Sequence, residues 1–287
     1  MNFTYGQAII TGFIQGITEL FPVSSLGHAI LIPAWIGGSF KEFISEENKA
    51  YLLITIAMHL ASSIALFLVF RKRWLNLIGG TFTSIRKRSF QSKQFRVLSY
   101  ILIATIPVGA LGVIFGDYFQ SIFGKPAYSA VFLTINGVLL IMAERLSKKY
   151  ISHSSSDSDA EIDAHINAKS AVVIGFGQSL ALFAGISRFG ITMSAGLLRK
   201  LNHSVASDFA FLLSLPVIVG AAIVKLPELF TTDAKQLLGQ ILVGSVVSFI
   251  ATYISVTFLV KWFKSKTLYP FAIYCLIFGI ASFLRFA

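Results

Sequence analysis

The chain has 287 residues, of which 55% are apolar and only 13% are charged. Since a soluble domain carries about 25% charged residues, this composition excludes a soluble globular protein, a disordered chain and a disulfide-built secreted domain. The net charge of +11 does not indicate nucleic-acid binding, because membrane proteins collect Lys and Arg in their cytoplasmic loops and no basic stretch here carries interleaved aromatic residues.

The apolar segments, taken in chain order, predict an all-α polytopic membrane protein. A first segment at about 7–36 is followed by three uninterrupted runs, a polar stretch, a second segment at about 170–198 and three more runs. Each of the six uninterrupted runs approaches the roughly 20 apolar residues that a transmembrane helix needs. They lie at about 50–70, 98–116, 128–147, 205–225, 237–260 and 268–286.

Helix breaks interrupt the two remaining segments. The first contains PVSSLGH at 22–28, and the second contains AGISRFGIT at 184–192. Non-helical backbone is tolerated inside a membrane only where it is buried in protein or lines a wet cavity. Both segments are therefore predicted to be re-entrant helix-break-helix hairpins, with two further kinked spans as the alternative.

The basic residues predict an orientation. If the loop at 71–97 lies in the cytoplasm, the inner side holds 17 Lys and Arg and the outer side holds six, in agreement with the positive-inside rule. Both termini then lie outside, and the Ser/Asp-rich stretch 154–159 belongs to a plain cytoplasmic linker. The prediction is a single integral membrane domain (1–287) with a first repeat at about 1–147, a linker at about 148–169 and a second repeat at about 170–287.

The two broken segments resemble each other at an offset of 163 residues. The matching pairs are Gly12 and Gly175, Phe13 and Phe176, Gln15 and Gln178, Ser24 and Ser187, and Gly27 and Gly190. Because three spans separate the segments, the second is oriented opposite to the first. This predicts an inverted-topology repeat, in which the broken helices of the two halves meet near the bilayer midplane and build a site there.

One acid and one base lie within the broken segments, Glu19 in the first and Arg188 in the second. Ionisable residues inside a membrane are costly, and their default interpretation is functional. A salt bridge that only joins the two halves is the alternative, but hydroxyl groups and an imidazole at the same breaks favour a reactive site: Ser24, Ser25, His28, Ser187 and Thr192. Two other polar residues in the spans are given structural interpretations. His59 is interpreted as an interhelical hydrogen bonder, with a ligand as the alternative, and Asn136 as a helix-packing residue.

The residues at the breaks have the chemistry of a phosphate site. Arg188 presents a planar fork that suits phosphate oxygens, and the helix N-termini at the breaks offer backbone N–H groups to anions. Glu19 could hold a divalent cation or act as a general base, and either Ser25 or His28 could attack phosphorus. The further candidates are Ser24, Gly27, Ser187, Gly190 and Thr192 around the phosphate, with Gln15 and Gln178 at equivalent positions before the breaks.

These breaks resemble the motifs of the bacterial undecaprenyl-diphosphate phosphatase family of the bacitracin-resistance type. The family's first motif, an acid-rich helix followed by Pro-x-Ser-Ser-x-Gly-His, is matched by QGITELFPVSSLGH at 15–28. Its second motif, Pro-Gly-x-Ser-Arg-Ser-Gly-x-Thr, stands here as AGISRFGIT at 184–192, and FAFLLSLP at 209–216 resembles the family's next span. The resemblance extends over nearly the whole chain.

The resemblance implies an enzyme of the bacterial plasma membrane. It would remove the terminal phosphate of undecaprenyl diphosphate at the outer face, returning the carrier lipid to cell-wall synthesis, with a divalent cation, Mg²⁺ or Ca²⁺, as cofactor. The implied partners are the polyprenyl diphosphate and membrane lipids, without nucleic acid, and a homodimer is left open. By position, the resemblance implies Glu19 as the essential carboxylate and metal ligand, Ser25 and His28 as nucleophile candidates, and Ser187, Arg188 and Thr192 as phosphate binders.

Three positions depart from the family pattern. Gln15 stands where the family usually has a second glutamate, Ala184 replaces Pro, and Phe189 replaces Ser. An amide cannot act as a base and is a weaker metal ligand than a carboxylate, so slower hydrolysis or a different substrate stays open. The alternative function is a transporter that flips a polyprenyl phosphate across the membrane with little or no hydrolysis.

Overall fold

The computed structural model describes residues 3–43, 49–116, 118–119, 125–147, 157–225, 227 and 236–287. Within these ranges every regular element is helical. The α-helices are α1 (Tyr5–Thr18), α2 (Ser25–Ile36), α3 (Gly38–Phe43), α4 (Lys49–Arg86), α5 (Lys93–Ile114), α6 (Pro126–Ser147), α7 (Ser158–His165), α8 (Ala168–Gln178), α9 (Arg188–Leu198), α10 (His203–Lys225), α11 (Leu238–Trp262) and α12 (Tyr269–Phe286). A 3₁₀ turn, Ser179–Leu182, follows α8.

Among the described residues, six helices are long and apolar enough to cross a bilayer, and each predicted span falls on one of them. They are α4, α5, α6, α10, α11 and α12. The chain is therefore a multi-pass α-helical membrane protein, as the sequence predicted.

Helix α4 is longer than the predicted span. It has 38 residues, which at 1.5 Å per residue is about 57 Å, well beyond a hydrocarbon core of about 30 Å. Its extension occupies most of the stretch 71–97, which was wrongly predicted to be a loop. There Trp74 is buried in the main core, and the Arg73 guanidinium pairs with Asp159 at 2.7 Å and with Asp208 at 2.6 Å. Burial and charge pairing thus keep a basic stretch helical.

The linker predicted to be a plain connector contains a helix. Residues 148–156 lie outside the described ranges, but Ser158–His165 form α7, and the Asp157 carboxylate caps it by accepting from two backbone N–H groups at 3.0 Å. The guanidinium of Arg96 on α5 donates to the carboxylate of Asp163 at 2.7 Å. Charge pairs therefore dock this part of the linker against α4 and α5.

Both predicted helix breaks are present, between α1 and α2 and between α8 and α9. Ser24 and Ser187 are the N-cap residues of α2 and α9. The hydroxyl of each accepts a hydrogen bond from the amide three residues later, Gly27 at 3.2 Å and Gly190 at 3.0 Å. Because a side-chain N-cap satisfies an amide that the helix start would leave unpaired, the repeated Ser-x-x-Gly pattern starts a helix at the equivalent place in each segment.

Each broken segment packs against a span of the other half of the chain. Helix α1 lies along α11, and α8 lies along α5. The equivalent residues Gly12 and Gly175 allow both close approaches: a Cβ on Gly12 would overlap the backbone of Gly244, and a Cβ on Gly175 would lie 2.6 Å from the carbonyl oxygen of Ala104. With each broken segment packed on the opposite half, the two breaks lie together in the protein interior.

Candidate active site

The carboxylate of Glu19 follows the end of α1, and its side chain is fully buried. Oε1 accepts a hydrogen bond from Nη2 of Arg188 at 2.7 Å, so the predicted acid and base form an ion pair. Oε2 accepts from the Ser25 hydroxyl at 2.6 Å and from the Gln15 amide at 2.7 Å. One buried carboxylate thus gathers an arginine, a hydroxyl and an amide from three helices.

The two breaks are hydrogen-bonded to each other by their capping serines. The Ser24 hydroxyl accepts from the backbone N–H of Gly185 at 3.1 Å. The Ser187 hydroxyl donates to the carbonyl of Phe21 at 3.2 Å. These bonds place the N-termini of α2 and α9 side by side, and the first residue of each helix reaches the same carboxylate.

The backbone of the breaks is strained where they cross. Ser24 has a φ of +71°, a region that costs a non-glycine residue on the order of 1–3 kcal/mol and persists only where the surroundings enforce it. Here its hydroxyl accepts from two amides, those of Gly27 and Gly185. Gly185 itself has a φ of +116°, and a Cβ there would lie 2.5 Å from the carbonyl oxygen of Ser129, so the close approach of this break to α6 depends on glycine.

The amide of Asn136 on α6 bridges the two breaks. Its Nδ2 donates to the carbonyl of Pro22 at 2.9 Å, and its Oδ1 accepts from the backbone N–H of Ser187 at 3.0 Å. The side chain is fully buried, so it satisfies two backbone groups in the protein interior. The interpretation of Asn136 as a packing residue was therefore incomplete.

Replacing Asn136 by leucine is expected to lower the free energy of unfolding by about 1–3 kcal/mol, because it leaves the Pro22 carbonyl and the Ser187 amide buried without partners. The measurement is an unfolding titration in mixed detergent micelles. Ser129→Ala on the same helix is the control, since the Ser129 hydroxyl is buried without a hydrogen-bond partner and its loss should change little. Equal destabilisation by the two variants would contradict the bridging role.

His28 does not join the carboxylate cluster. A carbonyl oxygen can only accept, so Nδ1 donates to the Ser24 carbonyl at 2.7 Å, and Nε2 lies 2.7 Å from the Tyr274 hydroxyl. The ring is stacked against Tyr274 and Phe278 of α12. Within the described structure no hydrogen bond joins it to Glu19. The predicted residue is therefore beside the break, but its ring is engaged with α12.

The remaining predicted residues divide into two groups. Thr192 is buried, and its hydroxyl has no hydrogen-bond partner, as expected for a donor kept for a ligand. Gln178, by contrast, donates to the carbonyl of Ala104 at 2.5 Å and so attaches α8 to α5. Phe189, which departs from the family motif, packs on Phe211 with ring centroids 4.5 Å apart. It lies in the core, not beside the carboxylate.

His59, interpreted from the sequence as an interhelical hydrogen bonder, lies beside the Glu19 carboxylate. Its Nε2 lies 3.3 Å from Oε2 of Glu19, and its Nδ1 donates to the Thr55 carbonyl at 2.7 Å. It is an interhelical contact, as expected, but one made to the central carboxylate. A signal was present, since His59 is the only His, Asp, Glu, Lys or Arg in the apolar run 50–70.

The donors around Glu19 fit a hard divalent cation. Oε2 of Glu19 and the Ser25 hydroxyl oxygen lie 2.6 Å apart, and Mg²⁺ and Ca²⁺ prefer oxygen ligands. The Gln15 side chain turns its Nε2, which is a donor, towards Oε2. Among the described residues, however, no three or more His, Cys, Asp or Glu side chains cluster as metal ligands. The residues therefore suit a cation whose coordination is completed by other ligands.

Comparison with known proteins gives one family. The model of the family described as bacitracin resistance protein BacA matches residues 8–281. Undecaprenyl-diphosphatase 2 of Frankia alni is 38% identical over 99% of this chain and 98% of its own length. The undecaprenyl-diphosphatases of Mycolicibacterium paratuberculosis and Mycobacterium avium are each 39% identical, over 98% and 97% of this chain and 97% and 96% of their own lengths.

Proposed function

This chain belongs to the BacA bacitracin-resistance family, and from that membership we propose that it hydrolyses undecaprenyl diphosphate to undecaprenyl phosphate and inorganic phosphate. The observation that carries the proposal is the hydrogen bond of 2.6 Å from the Ser25 hydroxyl to the buried Glu19 carboxylate, beside Arg188. A hydroxyl nucleophile, a base within reach and a guanidinium for phosphate oxygens are the parts that phosphoryl transfer needs.

Of the two nucleophile candidates, the geometry favours Ser25. Its proton already lies on a hydrogen bond to Glu19, whereas both ring nitrogens of His28 are engaged. As Ser25 Oγ bonds to the terminal phosphorus, Glu19 takes its proton and passes it to the bridging oxygen, whose bond to that phosphorus breaks. Water then attacks the phosphorus of the phosphoserine and Glu19 takes its proton. The Oγ–phosphorus bond breaks, Glu19 returns the proton to Oγ, and inorganic phosphate leaves. His28 is assigned a positioning role through the Ser24 carbonyl.

Phosphate binding is assigned to the N-termini of α2 and α9. Arg188 is the first residue of α9, and its five N–H donors allow it to bind phosphate oxygens while Nη2 stays on Glu19. The Thr192 hydroxyl, one turn after Arg188 on α9, is buried and without a hydrogen-bond partner among the described residues, so it is assigned to the phosphate. Backbone amides at both helix starts favour an anion, and the residues that shape those starts are Ser24, Gly27, Ser187 and Gly190.

A divalent cation, Mg²⁺ or Ca²⁺, is part of the proposal. Glu19 would hold it through Oε2, with the Ser25 hydroxyl oxygen nearby and with phosphate oxygens of the substrate as further ligands, as is usual for Mg²⁺. When bound, the cation would offset the charge of the diphosphate. With a glutamine at position 15, one carboxylate alone serves both the cation and the proton transfer.

The membrane arrangement proposed for this site is a pair of re-entrant hairpins in an inverted repeat. Helix α1 has 14 residues, α2 has 12 and α9 has 11, which is about 17–21 Å, too short for any of them to cross a core of about 30 Å alone. Helix α1 of the first half packs on α11 of the second half, and α8 of the second half packs on α5 of the first. This reciprocal packing supports a two-fold relation between the two halves. The 17-to-6 distribution of basic residues favours termini on the outer side, and the family resemblance implies a substrate at the outer face.

Transport without hydrolysis is the less supported function. A flippase would use the anion site and the inverted repeat, but it has no need of a hydroxyl hydrogen-bonded to a buried base. The matched relatives named above carry diphosphatase names. Hydrolysis is therefore the proposed activity.

Purified full-length protein in detergent is expected to release inorganic phosphate from undecaprenyl diphosphate when Mg²⁺ or Ca²⁺ is present, and EDTA is expected to stop the release because it removes the cation. The measurement is phosphate release over time, with undecaprenyl phosphate identified by mass spectrometry. If no phosphate appears with any divalent cation, the phosphatase proposal fails. Lipid translocation in liposomes without phosphate release would then favour transport.

A further inference from the structure

The imidazole of His59 faces the buried Glu19 carboxylate from α4. Its Nε2 lies 3.3 Å from Oε2 of Glu19, and its Nδ1 lies 2.7 Å from the carbonyl oxygen of Thr55. Since the carbonyl can only accept, Nδ1 carries a proton. In the neutral ring, Nε2 therefore presents its lone pair to a carboxylate oxygen that also carries lone pairs. Two acceptors in this arrangement need a positive charge between them, which is either a proton on Nε2 or a bound metal ion.

The distance between the two acceptors suits two ligands of one metal ion. A charge-assisted N–H···O bond has its heavy atoms about 2.7–2.9 Å apart, shorter than the 3.3 Å seen here. Two ligands each about 2.1 Å from one ion, at angles between octahedral and tetrahedral, are about 3.0–3.4 Å apart. The separation of Nε2 and Oε2 falls in that second range.

The surroundings of the two atoms also resemble a ligand pair. A metal-binding histidine almost always donates its other ring N–H to a carbonyl or a carboxylate, which fixes the tautomer, and Thr55 supplies that carbonyl. Arg188 occupies Oε1 of Glu19. His59 faces Oε2, which also accepts hydrogen bonds from Ser25 and Gln15. The side chains lie on α1 and α4, which pack together, so their relative position is fixed by the fold.

We propose that Glu19 and His59 are the two protein ligands of the divalent cation, an inference that rests on the proposed phosphatase function. With only two such ligands, the remaining positions belong to water and to phosphate oxygens of the substrate. An imidazole ligand favours transition metals over Ca²⁺. The site therefore binds Mn²⁺ more tightly than an all-oxygen site would, and His59 sets that preference.

Mn²⁺ bound to the purified full-length protein tests the ligand pair by electron paramagnetic resonance. The wild type is expected to show a ¹⁴N modulation of the Mn²⁺ spin echo from a directly bound imidazole. His59→Gln is expected to lose that modulation and to bind Mn²⁺ about 10- to 100-fold more weakly, while Ca²⁺ affinity, measured by competition, changes less than about threefold because Ca²⁺ gains little from nitrogen. His59→Glu, a second variant, is expected to bind Mn²⁺ without the modulation.

His203 provides a matched control, because its Nε2 likewise lies 2.9 Å from a carboxylate oxygen, that of the buried Glu144. His203→Gln is expected to keep both the ¹⁴N modulation and the Mn²⁺ affinity. A modulation that survives in His59→Gln or His59→Glu, that is lost in His203→Gln, or that is missing from the wild type would overturn the proposal.

Phosphate release measured on the same samples separates this inference from the proposed function. Cation-dependent release by a wild type without nitrogen coupling would overturn the Glu19–His59 ligand pair and leave the phosphatase standing. Nitrogen coupling lost in His59→Gln, in a protein that releases no phosphate, would support the ligand pair and overturn the phosphatase.

Discussion

Replacing Ser25 by alanine is expected to lower the kcat for phosphate release by about 10⁴-fold or more, the scale seen when an enzyme loses its nucleophile. The hydroxyl is the donor to Glu19 at 2.6 Å, and alanine leaves no oxygen to attack phosphorus. Undecaprenyl diphosphate binding should change little, because Arg188 and the helix N-termini remain. The measurement is kcat and KM for phosphate release by purified protein.

His28→Gln distinguishes the two nucleophile candidates in the same assay. It is expected to lower kcat by much less than Ser25→Ala, since His28 acts through the Ser24 carbonyl and Tyr274. Ser214→Ala is the control, because the Ser214 hydroxyl is buried but donates only within α10, to the Ala210 carbonyl. Full loss in His28→Gln together with activity in Ser25→Ala would transfer the attack to the imidazole.

Replacing Arg188 by alanine is expected to reduce kcat/KM by about 10³-fold or more, the scale of an arginine that stabilises a transferring phosphoryl group. Arg188→Lys should recover only part of the loss, because a single ammonium cannot bind two phosphate oxygens in the fork geometry. Arg71→Ala is the control, since Arg71 is exposed and its guanidinium donates to the Leu68 carbonyl. Unchanged hydrolysis in Arg188→Ala would exclude Arg188 from phosphate binding.

Arg188→Ala also has an expected cost in stability, which must be separated from its effect on activity. Removing one partner of a buried ion pair costs about 3–5 kcal/mol. The cost here is expected to be smaller, because Ser25 and Gln15 still donate to Glu19. The double variant Glu19→Gln with Arg188→Met removes both charges and is expected to recover most of the unfolding free energy without recovering hydrolysis. If activity returned with stability, the pair would serve only to join the two halves.

The sequence predicted both the membrane spans and the two charged site residues because the membrane interior excludes charge. In a membrane segment an ionisable residue is so costly that each exception stands out, and Glu19 and Arg188 were the acid and the base within the broken segments. The Ser-x-x-Gly repeat located both helix starts, because a capping serine acts over three residues and so leaves its pattern in the local sequence.

Contacts between distant segments were not predictable in this way. His59 and Asn136 each stand alone in a span, and nothing in the residues beside them shows that one reaches Glu19 and the other reaches Pro22 and Ser187. The extension of α4 past residue 70 depends on Arg73 pairing with two aspartates that are 86 and 135 residues away in sequence. Partners at such separations become visible only when the helices are packed.

The hydrogen bonds between the two breaks also constrain the order in which the protein can assemble. The Ser24 hydroxyl is paired with the amide of Gly185, and the Phe21 carbonyl is paired with the Ser187 hydroxyl. These partners are 161 and 166 residues apart, so ribosomes complete α1 and α2 long before the matching groups exist. Buried backbone groups without partners are costly. The first segment therefore reaches its final conformation only after synthesis has passed α9, and a nascent chain stopped before that point contains the Glu19 carboxylate without the environment that makes it reactive.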